Sequence, residues 1–298
     1  MGIGVFMIQD DDKINNTIVS SLFRTNAIEV CEAGKPFFYT SGKFGPYYIN
    51  THYLFGSKRD AEDLLSVMDN ETQDKMALPL KLKSLIMKQY SQNDIFRSVI
   101  DLLADEAVKF HPDHISGGER RDFFFSIPVA VRLNLPHISI FKDGSVFLST
   151  DDFNNTIYGN GSFLSGSKVL HIADLVTEAS SYTRAWIPAI RNSGTAIDSS
   201  LSVVDRNQGG AEVMASEGIR FKALAVITDD FFENAMRSGY ISDEQFCMIR
   251  SFTADPDRFI VDFLASDPGF LERQIALGGK AKERALRCIE QGYDKRVN

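Results

Sequence analysis

Four short runs in this 298-residue sequence carry side chains suited to recognising an anion or a planar ring. Ser116-Gly117-Gly118-Glu119-Arg120-Arg121-Asp122 places two glycines, which allow close backbone approach, directly before two guanidinium groups. The run reads either as an anion-binding loop using Gly117, Gly118, Glu119, Arg120 and Arg121, or as a solvated loop whose arginines pair with Glu119 and Asp122. Ala173-Asp174-Leu175-Val176-Thr177-Glu178-Ala179-Ser180-Ser181 follows an apolar run. The hydroxyls of Thr177, Ser180 and Ser181 suit either an anion at a helix start or simple capping, with Thr177 as N-cap. In Asp205-Arg206-Asn207-Gln208-Gly209-Gly210 the Arg206 fork matches a planar carboxylate, or pairs with Asp205. Phe37, Phe38, Tyr47 and Tyr48 either stack on a ring or form core.

The elements that must position these runs alternate. Ile95–Phe110 reads as a helix, His114–Ser116 as a strand, 117–122 as a loop, Phe123–Asn134 as a helix and His137–Phe141 as a strand. Lys168–Ala173, Ala196–Val204 and Phe221–Ile227 continue the strands, with helices over Thr177–Ser193 and Gly210–Gly218 between them. Strands separated by single helices predict a central, mostly parallel sheet flanked by helices, an α/β fold whose ligands sit beyond the carboxyl ends of the strands. A first helix is expected from Asp11 to about Ala33, two short strands in Pro36–Tyr53, and helices in Gly56–Tyr90 broken at Pro79. Residues 145–167 hold no Lys, Arg or His and alternate apolar with polar residues, as a hairpin does. Beyond Thr228 the periodicity is purely helical.

Four segments follow: an N-terminal helix and hood over 1–55, a helical insertion over 56–93, an α/β core over 94–228 and a C-terminal helical extension over 229–298. An apolar content of 44% supports a sizeable core. The net charge of -8 opposes broad attraction to nucleic acid or an anionic membrane. Cys31, Cys247 and Cys288 form no paired framework and the five histidines are scattered, which argues against structural disulfides and zinc. Met1–Ile8 lacks a basic flank and is too short for a signal or a span, so a cytoplasmic location is expected.

Three of these runs, in order, resemble orotate phosphoribosyltransferases, which have the type I phosphoribosyltransferase fold. Phe37 to Asn50 is similar to the family's hood segment. Ile115 to Pro136 with Phe141-Lys142 is similar to its pyrophosphate loop, helix and following strand end. Val203 to Glu212 with Gly218-Ile219 is close to its most specific run. The resemblance covers roughly residues 14–227. It implies displacement of pyrophosphate from phosphoribosyl pyrophosphate (PRPP) by orotate or a related base, with Mg²⁺ as cofactor and a homodimer as the working form. It further implies that Lys142 and Asp174 are catalytic, with Asp174 also serving the metal. Gly117 to Arg121, Thr177, Ser180 and Ser181 would hold PRPP, and Phe37, Phe38, Lys43 and Arg206 the base.

The match has gaps. Ala173 replaces the first of two adjacent acids, Glu178 stands where a phosphate-binding hydroxyl is expected, and Ala179 stands where glycine is. Thr40 and His52 replace a lysine and an arginine of the hood, with Lys43 as compensation, and the run after Lys142-Asp143-Gly144 lacks the cations of a catalytic loop. Two functions are therefore expected: a phosphoribosyltransferase of weak activity, or a non-catalytic protein that binds a nucleotide or phosphate ester in the same cleft.

Overall fold

The computed structural model describes residues 3–71, 73–159 and 161–296. From the N-terminal side, α1 (Ile3–Arg24) leads to β1 (Ile28–Val30), β2 (Phe37–Phe38), β3 (Phe44–Gly45) and β4 (Tyr47–Ile49). A 3-10 turn over Thr51–Phe55 precedes α2 (Lys58–Glu71), α3 (Leu78–Gln92) and α4 (Asp94–Val108). Then come β5 (His114–Gly118), α5 (Phe123–Leu133), β6 (His137–Ile140), β7 (Val146–Ser149), β8 (Thr156–Tyr158) and β9 (Val169–Val176). A π-helical stretch (Tyr182–Trp186) runs into α6 (Ile187–Asn192), followed by β10 (Ile197–Asp205), α7 (Gly210–Ser216) and β11 (Arg220–Val226). Five helices complete the described chain: α8 (Asp229–Arg237), α9 (Asp243–Ala254), α10 (Pro256–Ser266), α11 (Phe270–Leu277) and α12 (Gly279–Glu290).

Two compact units result, and they do not follow chain order. One comprises residues up to Ala27 with Asn50–Phe231, the other Ile28–Ile49 with Phe232 onward. The first is built on a seven-stranded sheet in the order β11-β10-β9-β5-β6-β7-β8. Strands β11 through β6 pair in parallel, and β7 and β8 add an antiparallel hairpin. This is the mixed, helix-flanked α/β sheet that the alternation predicts. In β9, Val-Leu-His-Ile-Ala-Asp-Leu-Val is buried throughout apart from half-buried Leu175, as a central parallel strand covered on both faces must be. Helix α5 is apolar on every side and correspondingly buried from Phe123 to Ala130. It stops where Asn134 turns left-handed (φ 54°) and returns its N–H to the Ala130 and Val131 carbonyls.

The second unit joins β1–β4 and the neighbouring 28–49 chain to the C-terminal helices. Phe44 is its centre, with Ile260, Leu264, Leu271, Ala285 and Cys288 buried around it. Ser242 and Gln245 form a reciprocal capping box at the start of α9, and Asp255 caps α10 by accepting the Arg258 N–H.

Four boundaries differ from the expectation. Helix α1 ends at Arg24 rather than near Ala33, because Ile28, Glu29 and Val30 pair antiparallel with Ile49, Tyr48 and Tyr47. Strand β5 runs on through Gly117 and Gly118, and β9 runs on through Asp174 to Val176, so residues expected in loops lie in sheet. Glycine and aspartate are poor strand formers, and pairing with the neighbouring strands overrides that local preference. The helix expected from Thr177 begins at Ser180. Pro79 does mark the break between α2 and α3, sitting in the first turn of α3 where its missing N–H costs nothing. Among the described residues no helix is long and apolar enough to cross a membrane.

Candidate functional site

A cleft of about 440 Å³ opens at the carboxyl ends of β9, β5 and β6, three neighbours in the sheet. Each strand delivers part of its lining: β5 supplies Glu119, Arg120, Arg121 and Asp122, β6 supplies Lys142, and β9 supplies Asp174 and then Thr177, Glu178, Ser180 and Ser181. The structure thus gathers Lys142, Asp174, Glu119, Arg120, Arg121, Thr177, Ser180 and Ser181 in one place. Gly117 and Gly118 lie just behind, buried in β5. A side chain at Gly118 would put its Cβ 2.3 Å from the Trp186 ring, and one at Gly117 would lie 2.1 Å from Ser126 Oγ. The two glycines therefore serve close packing beneath the loop.

Asp122, buried at the foot of the cleft, ties β5 to β9. Its Oδ2 accepts the Gly118 N–H (3.0 Å), its Oδ1 accepts the Asp174 N–H (3.1 Å), and His171 Nε2 lies 3.4 Å from Oδ2. His171 Nδ1 is 3.0 Å from Ser116 Oγ, which orients the ring from below. Asp174 is the more exceptional carboxylate. It is buried, its Oδ2 has no hydrogen-bond partner among the described residues, and burial together with the Asp122 charge pushes its pKa up to about 8 against the opposing pull of Arg121. Its neutral form is favoured accordingly.

The rim is cationic on one side. Glu119 does not pair with the arginines; its Oε2 accepts the Lys142 backbone N–H at 3.0 Å. Arg120, joined to Glu119 by a cis peptide, pairs with Asp69 of α2. Neither the Arg121 guanidinium nor the Lys142 ammonium has an ion-pair partner among the described residues. The charges of the two arginines are felt nearby: burial, then Arg121 and Arg120, push the His52 imidazole down to about 3. On the other side, Ala179 holds φ 52°, so the loop keeps a left-handed residue at the position expected to be glycine, at a cost of about 1 kcal/mol. Thr177 lies in the bend ahead of the helix, and Ser181 is already helical.

Arg206 does not line the cleft. Its backbone N–H donates to the Val176 carbonyl (2.8 Å), which places it one strand away at the end of β10, with Nε buried and unpartnered among the described residues. It forms no pair with Asp205, whose Oδ1 instead accepts the Asn207 N–H at 2.9 Å. A Cβ on Gly210 would lie 2.6 Å from the Thr177 carbonyl oxygen, so the Gly209-Gly210 turn packs directly on the cleft loop. Phe37, Phe38 and Lys43 belong to the second unit. There Phe38 stacks on Phe44 (centroids 4.3 Å apart), Phe37 meets Tyr48 at 4.7 Å, and Lys43 lies 3.6 Å from Asp257.

Sequence reasoning missed Asp122 as an organiser, His171, and the wall formed by Trp186. A histidine inside an apolar strand run was the available signal for His171. It also missed Asp69, for which no local signal exists. Among the described residues no group of three or more His, Cys, Asp or Glu side chains is placed to hold a metal ion.

No family model matches the chain. Its sequence relatives match in segments. An orotate phosphoribosyltransferase from Synechocystis sp. is 42% identical over 64 residues, 22% of this chain and 32% of that protein. An adenine phosphoribosyltransferase from Carboxydothermus hydrogenoformans is 26% identical over 132 residues, 42% of this chain and 74% of that protein. The chain spans about a third of the length of the first curated relatives it matches. In structure, UMP synthase from Leishmania donovani superposes with a TM-score of 0.55 at 18% identity, over 80% of this chain and 42% of that one, a likeness of fold. Segments of the chain are thus similar to orotate and adenine phosphoribosyltransferases, and its seven-stranded sheet shares the α/β fold of the UMP synthase structure.

Proposed function

We propose that the cleft binds PRPP and that the chain transfers its phosphoribosyl group to orotate or a related carboxylated base, releasing pyrophosphate at a low rate. The observation that carries this reading is the convergence of Arg121 and Lys142, two cations without ion-pair partners among the described residues, on one cleft whose floor is Asp174. Charge develops on the leaving diphosphate as the bond to C1 breaks, and preorganised cations facing it are the largest stabilisation a protein offers there. Arg206, one strand away with its Nε unpartnered, is the group to receive the base carboxylate. Asp174 Oδ2 suits Mg²⁺, which commonly takes one or two carboxylates and completes its shell with phosphate oxygens and water. When bound, the ion would offset diphosphate charge. A homodimer in the cytoplasm is the setting this reading assumes.

A second reading, binding without turnover, is favoured by three residues of the β9 end. Ala173 removes one carboxylate, Glu178 faces the cleft, and burial beside Asp122 drives the Asp174 carboxyl towards its neutral form. Loss of orotate absorbance at high protein concentration with PRPP and Mg²⁺, compared with Asp174→Asn, separates the two. Turnover that the substitution abolishes establishes transfer; equal, background rates in both proteins leave binding as the function.

A further inference from the structure

The cleft is electrically lopsided, and the strand order sets the direction. Across the sheet from β9 to β5 to β6, the charged lining side chains are Asp174 and Glu178, then Glu119, Arg120, Arg121 and Asp122, then Lys142, so the acidic excess lies at the β9 side and the cationic one at β6. Glu178 is exposed and has no ion-pair partner among the described residues. The hydroxyls of Thr177, Ser180 and Ser181 share its end of the cleft.

Resting on the reading of this cleft as a diphosphate site, we infer that it selects a sugar diphosphate that carries its negative charge at one end only, with a free hydroxyl at the other. The diphosphate meets Arg121 and Lys142. The hydroxyl at the far end donates to the Glu178 carboxylate, an acceptor that suits a neutral donor and disfavours an anion. PRPP, which bears phosphate at both ends, sets one of them against Glu178. Like charges a few ångströms apart at a wet protein surface repel by about 1 kcal/mol or more, which lowers affinity about tenfold.

The test is a set of titrations of the full chain with inorganic pyrophosphate, ribose 1-diphosphate, PRPP and ribose 5-phosphate, followed by calorimetry and by the fluorescence of Trp186, the sole tryptophan of the sequence and part of the cleft wall. Wild type is expected to bind ribose 1-diphosphate and pyrophosphate more tightly than PRPP, and ribose 5-phosphate least. Glu178→Gln is expected to raise affinity for PRPP about tenfold while changing that for pyrophosphate little. Equal gains for both ligands, or a wild-type preference for PRPP over ribose 1-diphosphate, would overturn the selectivity while leaving the diphosphate site in place. Pyrophosphate binding that Arg121→Gln does not weaken, or its absence in wild type, would instead remove the diphosphate site and the selectivity with it.

Discussion

Asp122 and Asp174 lie against each other in different settings. Asp122 accepts two backbone N–H groups, whereas Asp174, buried with one oxygen unpartnered among the described residues, is driven towards the neutral form. His52 responds to the same surroundings with the opposite sign. Its folded pKa, near 3, lies below the unfolded value of about 6.5, so the stability it contributes is present above pH 6.5 and is lost as pH falls towards 3. His137, also pushed down to about 3 by burial, adds to the same acid loss. His52→Phe is therefore expected to remove about 3 kcal/mol of the difference in unfolding free energy between pH 7 and pH 4. Because His52 Nδ1 has no hydrogen-bond partner among the described residues and the ring packs near Phe124, no bond is lost. Urea midpoints at the two pH values measure this; an unchanged difference would show that His52 is not held neutral. At this scale Arg121 and Thr177 were legible from the runs that hold them, whereas Lys142 and Asp174 were singled out through the resemblance. Asp122 stayed hidden because its importance lies in bonds to partners such as Asp174, 52 positions away.

At the scale of elements, the insertion over 56–93 is more than an added helical pair. Helix α2 reaches Arg120 through Asp69. Between α2 and α3, Lys75 pairs with Asp143, donates to Ser145 Oγ (3.0 Å) and lies 5.0 Å from the Phe141 ring centroid. From α3, Lys83 donates to the Asp152 carbonyl at 2.7 Å. The insertion thus braces the two loops that carry the cleft cations and the β7–β8 hairpin beside them. The hairpin was legible from its alternation and lack of cations; the bracing was not, because it joins elements whose spacing in the chain says nothing about their docking. Asp69 also partly neutralises Arg120. Asp69→Asn is expected to strengthen pyrophosphate binding about threefold at low salt, with the gain shrinking as salt is added, since a half-exposed pair of this kind is worth under about 1 kcal/mol. Weaker binding in a pyrophosphate titration would mean instead that Asp69 holds Arg120 in its working position.

For the whole molecule, the two compact units each have their own core. Phe44 is fully buried in the second, stacked on Phe38 and in contact with Phe263 and Phe270. Phe44→Ala is expected to cost about 3–5 kcal/mol, seen as a lowered thermal midpoint and faster proteolysis within residues 232–298. Unchanged proteolysis there would show that the C-terminal helices do not depend on this core. The sequence by itself determined the α/β alternation, most strand positions, the helical character of residues 229–298 and the three runs that resemble orotate phosphoribosyltransferases. Burial on both faces of a strand and on one stripe of a helix is written locally, as runs and as periodicity. The tertiary structure decided that residues 28–49 pack with the C-terminal helices, that Gly117, Gly118 and Asp174 lie in strands, that Arg206 stands one strand away from the cleft, and that Asp69 answers Arg120. Those outcomes depend on strand order, register and the docking of distant elements, and pairings across 51 or 52 positions leave no local pattern from which to read them.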